Sequence, residues 1–278
     1  MKLISLNLWG GIMGTNLFDY LREQSKQKDI FCFQEVFDSP NPTSEKGKKG
    51  EYFQLKKKLT EVLPDFDVYY REQLYGLSLS SEAVDFSLSY GIAIAVRKSI
   101  VDQFFLDEGD IMLVGAKRIC EPFTDRPWDK NLQYLRLNFG DKILNIINIH
   151  GVWIRNAGKG DNDIRLAQSA KILKLLKELD GEVILTGDFN LDPDTQSIKM
   201  LEDSGLNNLI KINKITSTRS SEYSKTLEYK VGDNIVKNDG DKFADYTFTS
   251  DGINVVNYQV PPVEVSDHLP LILDYELK

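Results

Sequence analysis

The sequence holds two histidines, and both fall where a strand meets a loop. His150 closes the apolar run Ile146-Ile147-Asn148-Ile149-His150, and His268 lies in Ser266-Asp267-His268-Leu269-Pro270, just before the last strand. Such positions present a side chain from a rigid scaffold, and imidazole suits acid–base work near neutral pH. Acids and amides stand at other strand ends. Val183-Ile184-Leu185 runs into Thr186-Gly187-Asp188-Phe189-Asn190, Ile30–Phe33 runs into Gln34-Glu35, the first strand carries Asn7 toward its end, and Asp245 opens Tyr246-Thr247-Phe248. Carboxylates, amides and imidazoles together form a hard-ligand set that suits Mg²⁺ or Mn²⁺ and not a thiolate metal. Each residue also has an ordinary reading: Gly187-Asp188 as a turn, Glu35 as a solvated carboxylate, Asn7 as a cap. Their common placement at strand ends favours a shared site.

The elements that must position them recur along the whole chain. Lys2–Trp9, Asp29–Val36, Gly91–Lys98, Leu132–Asn138, Ile143–His150, Glu182–Asp188, Asp245–Ser250 and Leu271–Leu277 are β-rich or alternating. Helical patterns cover Asn16–Gln27, Tyr52–Leu63, Asn162–Leu179 and Gln196–Asp203. In the third, Leu166, Ala170, Leu173 and Leu176 share a face, and Asp161 to Asp163 offer acidic capping. The Gly140-Asp141 turn predicts a hairpin, which inside a βα chain argues for mixed sheets over a purely parallel one. Ser39–Gly50, Leu77–Ser87, Arg155–Asp161 and Ser217–Asp241 read as surface loops on one α/β domain spanning 1–278.

Composition narrows the function classes. A chain of 278 residues with 41% hydrophobic and 27% charged residues can bury a sizeable core, which excludes general disorder. Acids outnumber bases 42 to 34, for a formal charge of −8, so the basic footprint of a dedicated duplex-binding module is missing. Local handling of a phosphate substrate with a divalent cation stays open. Cys32 and Cys120, the only cysteines, cannot build a disulfide framework or a thiolate zinc site, and Cys32 reads as a buried inert thiol. No apolar run approaches the roughly 20 residues of a membrane helix, and no signal segment is evident. A cytoplasmic monomer with no stable membrane insertion is the expectation.

Asn7 in Leu6-Asn7-Leu8-Trp9, then Gln34-Glu35, His150, Gly187-Asp188-Phe189-Asn190, Asp245 and Ser266-Asp267-His268 follow in order along nearly the whole chain. With these motifs the sequence resembles the endonuclease/exonuclease/phosphatase superfamily, which includes deoxyribonuclease I, exonuclease III and the neutral sphingomyelinases. The resemblance implies a four-layer α/β/β/α sandwich: two packed mixed β-sheets flanked by helices, with the site at one end of the sheets. It implies Glu35 as the main Mg²⁺ ligand, Mn²⁺ as a substitute ion, Asn7 contributing to metal or phosphate, and Asp267 completing the acidic ring. Asp188 would orient or deprotonate the attacking water, and Asn190 would hold the phosphate. His268, oriented by Asp245, would serve as acid–base partner or phosphate-oxygen donor, and His150 would steady phosphate charge. The chemistry is in-line attack of water on a phosphorus ester.

Subfamily departures narrow the substrate. Exonuclease III-like repair enzymes show Asn-Gly-Ile-Arg or similar after the first strand, where this chain has Asn7-Leu8-Trp9-Gly10-Gly11. Inositol polyphosphate 5-phosphatases carry Pro-x-Trp-Cys-Asp-Arg near the position of Asp245, where this chain has Lys242-Phe243-Ala244-Asp245-Tyr246. Gln34-Glu35-Val36-Phe37-Asp38 is similar to both the sphingomyelinase and deoxyribonuclease I branches. A Mg²⁺-dependent phosphodiesterase or nuclease acting on nucleic acid or nucleotides is the leading expectation. The alternatives are a sphingomyelinase-like phospholipid phosphodiesterase and an inactive phosphate-ligand binding protein on the same scaffold. Trp128, Trp153 and Phe86 are loop aromatics, and Trp153 could stack on a base or cover a sheet edge. Lys46, Lys48 and Lys49, in a loop kept mobile by Gly47 and Gly50, and Arg155 with Lys159 could steer phosphate. Arg165, a cation at the unfavourable end of a helix dipole, calls for a specific partner: a site carboxylate or a surface ion pair.

Overall fold

Residues 1–101, 105–114, 130–154, 158–226, 229–231, 234–236 and 241–278 are described by a computed structural model of the chain. Cys120, Trp128 and Arg155 lie outside the described residues. The strands are β1 (Lys2–Asn7), β2 (Ile30–Asp38), β3 (Phe66–Tyr75), β4 (Ser89–Arg97), β5 (Phe105–Val114), β6 (Lys130–Phe139) and β7 (Lys142–His150). They continue with β8 (Glu182–Asp188), β9 (Asn207–Asn208), β10 (Tyr229–Val231), β11 (Asn234–Val236), β12 (Asp245–Thr249), β13 (Ile253–Gln259) and β14 (Leu271–Leu277). The helices are α1 (Thr15–Ser25), α2 (Leu55–Val62), α3 (Lys98–Val101), α4 (Asp163–Glu178), α5 (Gln196–Asp203), α6 (Leu209–Ile212) and α7 (Ser221–Thr226).

Two six-stranded sheets carry the architecture, in the orders β13-β14-β1-β2-β4-β3 and β5-β6-β7-β8-β12-β9. Each holds one parallel pair near its centre, β1 with β2 and β7 with β8, and its other pairs are antiparallel. The period-2 alternation of strands sorts the side chains into layers. Ile4, Leu6, Phe31 and Phe33 pack with Leu17, Leu21, Leu55 and Leu59 of α1 and α2, while Leu3, Ile30 and Cys32 join the cluster of the second sheet. Ile172, Leu175, Ile198 and Leu201 bring α4 and α5 onto that same cluster. Each such buried side chain contributes about 2 kcal/mol of transfer free energy. The result is a helix–sheet–sheet–helix sandwich of two mixed sheets, as the motifs imply.

The layer between the sheets is partly polar. Gln34 Nε2 donates to Asn148 Oδ1 at 2.6 Å, and Asn148 Nδ2 donates to the carbonyls of Phe33 and Ala93 at 3.0 and 3.1 Å. These carbonyls flank a register shift between β2 and β4, at Phe33/Val36, so an amide of the opposite sheet satisfies groups that lie beside an irregular ladder.

Several local expectations are corrected. The buried face of α4 is Arg165, Gln168, Ser169, Ile172 and Leu175, whereas Ala170 is exposed and Leu166, Leu173 and Leu176 are half-buried. Asn162 is its N-cap, accepting from the amides of Ile164 and Arg165, and Asp161 instead accepts from the amides of Gln196 and Ser197 at 2.6 and 2.9 Å in the first turn of α5, whose own N-cap is Thr195. Arg165 takes neither expected partner: it is fully buried and donates to the carbonyls of Gly160 and Gly158 at 2.5 and 2.7 Å. The 39–50 loop is tied down, since the buried Glu51 carboxylate accepts from the amides of Lys49 and Leu79 at 3.1 and 3.0 Å. Within 217–241, expected to be loop, stand α7 and the β10–β11 hairpin.

Candidate active site

The carboxyl ends of both central parallel pairs meet at one end of the sandwich. Asn7 is paired with Gln34 across β1–β2, and His150 with Asp188 across β7–β8. On the other side of β8, Asp188 is opposite Asp245 of β12. Asp188 therefore stands between His150 and Asp245 in one sheet, with Asn7 of the other sheet facing it. Asn7 Nδ2 donates to Asp188 Oδ2 at 3.1 Å, and the Asn190 amide donates to Asp188 Oδ1 at 2.8 Å. Gly187 lets the strand reach this point: at φ +133° its added Cβ would lie 2.2 Å from the Ile149 carbonyl oxygen.

Two site residues hold backbone conformations that side chains disfavour. Glu35 has φ +58° and Asn190 φ +54°. Asn tolerates this region, but a glutamate there stores strain of about 1 kcal/mol. At Glu35 it coincides with the β2–β4 irregularity, the device by which a strand re-aims one side chain. Glu35 Oε1 lies 3.9 Å from His150 Nε2, while its buried Oε2 has no hydrogen-bond partner. Burial, then the charge of Asp267, pushes its carboxyl up to about 7.

The two histidines are buried and differently held. His268 Nδ1 lies 2.9 and 2.8 Å from the two oxygens of Asp245, so it donates there, and Nε2 is left 3.7 Å from Asp188 Oδ2. Burial, then the Arg219 charge, holds His268 down at about 4, a neutral imidazole at pH 7. His150 Nε2 lies 3.9 Å from Asp188 Oδ2, and burial followed by the Lys130 charge keeps it neutral as well. The ligand atoms of Asp188, Asp245 and His268 lie within 4.8 Å of one another. Because His268 already donates to Asp245, that trio reads first as a hydrogen-bonded acid–base unit. Asp267 is buried, 3.9 Å from His268 Nε2 through Oδ1. The Ser266 hydroxyl donates to the Asn7 carbonyl at 2.7 Å and ties this loop to β1. All eight expected residues, Asn7, Glu35, His150, Asp188, Asn190, Asp245, Asp267 and His268, thus converge.

Three further residues join them. Lys130 Nζ lies 2.9 and 3.2 Å from the ring nitrogens of His150, and the Tyr90 hydroxyl lies 3.4 Å from its Nδ1. Arg219 Nη1 donates to His268 Nε2. The register pairing Leu132 with Ile149 carries Lys130 up to His150, so the hairpin turn held a signal for it. For Tyr90 and Arg219 no local signal existed, since both arrive through tertiary packing. The lysines of the 39–50 loop have partners of their own. Lys46 lies 4.2 Å over the Tyr52 ring, Lys48 pairs with Glu82 at 2.9 Å, and Lys49 donates to the Leu79 carbonyl at 3.4 Å. Lys159, by contrast, is buried beside the site: it donates to the Phe243 carbonyl at 2.6 Å, pairs with Asp241 at 3.5 Å, and its charge acts on Asp188, Asp245 and His268.

The sequence matches the profile of the Endonuclease/Exonuclease/phosphatase family over residues 4–268. The chain belongs to that family. No curated protein matches it in sequence. Among solved structures, it is similar to an endonuclease/exonuclease/phosphatase family protein from Leptotrichia buccalis (18% identity, 100% of both chains, TM-score 0.67). It is similar also to a mannosyl-6-phosphatase of Bacteroides thetaiotaomicron (19%, 100% of both chains, TM-score 0.66). A third likeness is to the human Nocturnin catalytic domain with bound sulfate (18%, 100% of this chain and 94% of that one, TM-score 0.64). At these identities the likeness is one of fold. Among the described residues, no helix is long and apolar enough to cross a membrane.

Proposed function

We propose that the protein is a Mg²⁺-dependent phosphohydrolase that cleaves a phosphate ester of nucleic acid or a nucleotide by in-line attack of water. The observation that carries this reading is the setting of Asp188. Both its oxygens accept from fixed donors, and it stands 3.7 and 3.9 Å from two buried neutral histidines. Asp188 aligns the attacking water and takes its proton. Asn190 and Asn7 donate to the phosphoryl oxygens, and His150, backed by Lys130, steadies their charge. His268, locked by Asp245 with Nε2 facing the reaction, exchanges the proton that the chemistry moves.

The donor set fits a hard divalent cation. Glu35 Oε2 is a buried carboxylate oxygen without a partner, next to the charge of Asp267, and oxygen ligands of this kind are what Mg²⁺ takes. Glu35, with Asn7 and Asp267, would hold it, and bound Mg²⁺ supplies charge neutralisation at the phosphoryl group.

Trp153 supports a base-bearing substrate. It stands three residues past His150 with 46% of its surface exposed. The chain before it is anchored by Gly151 N–H on the Asp188 carbonyl at 2.6 Å and Val152 N–H on Gln168 Oε1 at 2.8 Å. Phe86, by contrast, is half-buried against Phe53 at 5.1 Å. A screen of single-stranded and duplex DNA, RNA, nucleotides and sphingomyelin vesicles in Mg²⁺ or Mn²⁺ tests the assignment. Turnover of a nucleic acid or nucleotide supports it, and turnover of sphingomyelin alone replaces it with the lipid reading.

A further inference from the structure

Arg219 comes from a segment that no motif marked. Its backbone is laid against the His268 loop by pairing: Leu269 N–H donates to the Thr218 carbonyl at 2.8 Å, and Ser220 N–H donates to the Asp267 carbonyl at 3.1 Å. The Ser220 hydroxyl donates to the Ser266 carbonyl at 2.6 Å, and Thr218 Oγ1 accepts from the amides of Ala244 and Asp245. The segment is thus fixed between the two elements that carry His268 and Asp245. The Arg219 side chain is only 8% exposed, and its guanidinium lies 4.1 Å over the Tyr223 ring.

The guanidinium lies in the field of Asp267, Asp188 and Asp245, but its hydrogen bonds are incomplete. Nη1 donates to Nε2 of His268 and, at a long 3.4 Å, to Asp267 Oδ2, while the buried Nε has no hydrogen-bond partner. A desolvated guanidinium carries five donors and is stabilised best by anionic oxygens held in its plane. The cation–π attraction of the Tyr223 ring does not tie the guanidinium to one hydrogen-bond geometry. The atom it now caps, His268 Nε2, is also the one His268 presents toward the reacting group, because Nδ1 is committed to Asp245.

We propose that Arg219 is a phosphoryl-binding residue: it exchanges its contact with His268 for a non-bridging phosphate oxygen, which frees Nε2. Resting on the phosphohydrolase reading above, this assigns Arg219 a part in specificity. Asn7 and Asn190 are neutral donors, so Arg219 adds both a donor and a full charge on the His268 side. A dianionic phosphate group, with its additional anionic oxygen, gains more from this than a monoanionic diester does. Arg219 therefore biases the site toward terminal phosphates.

The test is equilibrium binding of inorganic phosphate and of dimethyl phosphate in Mg²⁺, followed by ³¹P NMR, for the wild type, Arg219→Gln and Arg219→Lys. Arg219→Gln is expected to weaken phosphate binding about 30-fold, the worth of a charge-assisted hydrogen bond, and dimethyl phosphate by much less. Arg219→Lys, which keeps charge but not the fork, is expected to lose several-fold, and it serves alone should Arg219→Gln fail to fold. Phosphate binding within twofold of wild type in either variant, equal losses for both ligands, or no phosphate binding by the wild type overturns the proposal. Phosphate binding that depends on Arg219 in a protein that hydrolyses no ester upholds Arg219 and rejects the hydrolase reading.

Discussion

Glu35 concentrates the logic of the site in one residue. Its left-handed backbone aims the carboxylate, its Oε2 lacks a partner, and its neighbours include Asp267 and Asp188. Strain and crowded charge of this kind are retained where the surrounding structure over-determines them. On the proposed reading, stability and function are opposed at this position. Glu35→Gly is expected to be more stable than Glu35→Ala by about 1 kcal/mol in urea unfolding, because only glycine adopts φ near +58° without steric cost. Equal stability of the two would show that the backbone there is not strained. The residue types at this site were legible because imidazoles, carboxylates and amides are rarely gathered at strand ends for packing alone. Arg219 and Tyr90 were not legible. A cation or phenol becomes part of a site through distant contacts, and Arg219 sits amid Ser217, Thr218, Ser220 and Ser221, a composition that reads as loop.

At the scale of elements, the central strands were legible and the edges were not. β8 and β14 match their expected bounds because buried apolar runs end sharply. β3 and β13 passed unseen: their residues are largely half-buried or exposed, so Asp67, Arg71 and Glu72, or Asn254 and Asn257, blur the alternation. Capping shows the same limit. Three adjacent polar residues, Asp161, Asn162 and Asp163, look equivalent in sequence, yet Asn162 caps α4 while Asp161 binds first-turn amides of α5, 35 residues away. Asp161→Ala is expected to cost about 1 kcal/mol, the usual worth of a side chain that accepts from the free amides of a helix start. Partial burial opposes ionisation of Asp161, but hydrogen bonds from Ser197 and Gln196 outweigh it and hold the carboxyl below its ordinary 3.8. A depressed folded value means that this contribution is present above the unfolded value and fades as pH falls through the folded one. Wild type and Asp161→Ala should therefore converge in stability as pH falls through the depressed folded value, read by thermal unfolding across pH. A constant gap would mean that the charge is irrelevant to these hydrogen bonds.

On the scale of the whole molecule, the site exists only because two sheets are held in register at one end. Asn148 is the clamp: it receives Gln34 and donates to two carbonyls of the facing sheet. Asn148→Ala strands several buried polar groups and is expected to cost about 3 kcal/mol in denaturant unfolding. A cost below 1 kcal/mol would assign the register to apolar packing alone. The assembled end gathers Glu35, Asp188, Asp245 and Asp267 against Lys130 and Arg219, so a divalent cation should stabilise the fold. At a hundredfold excess over its dissociation constant, Mg²⁺ should add about 2.7 kcal/mol and raise the melting temperature by about 5 °C or more. The shift should vanish in Glu35→Gln. The most direct measurement is the rate of p-nitrophenol release from bis-(p-nitrophenyl) phosphate in Mg²⁺ by the wild type, Glu35→Gln and Asp188→Asn. Turnover that stops with a chelator and falls at least about 100-fold in both variants is the result expected of a metal-assisted, base-aligned hydrolysis. Turnover that survives either substitution would contradict it.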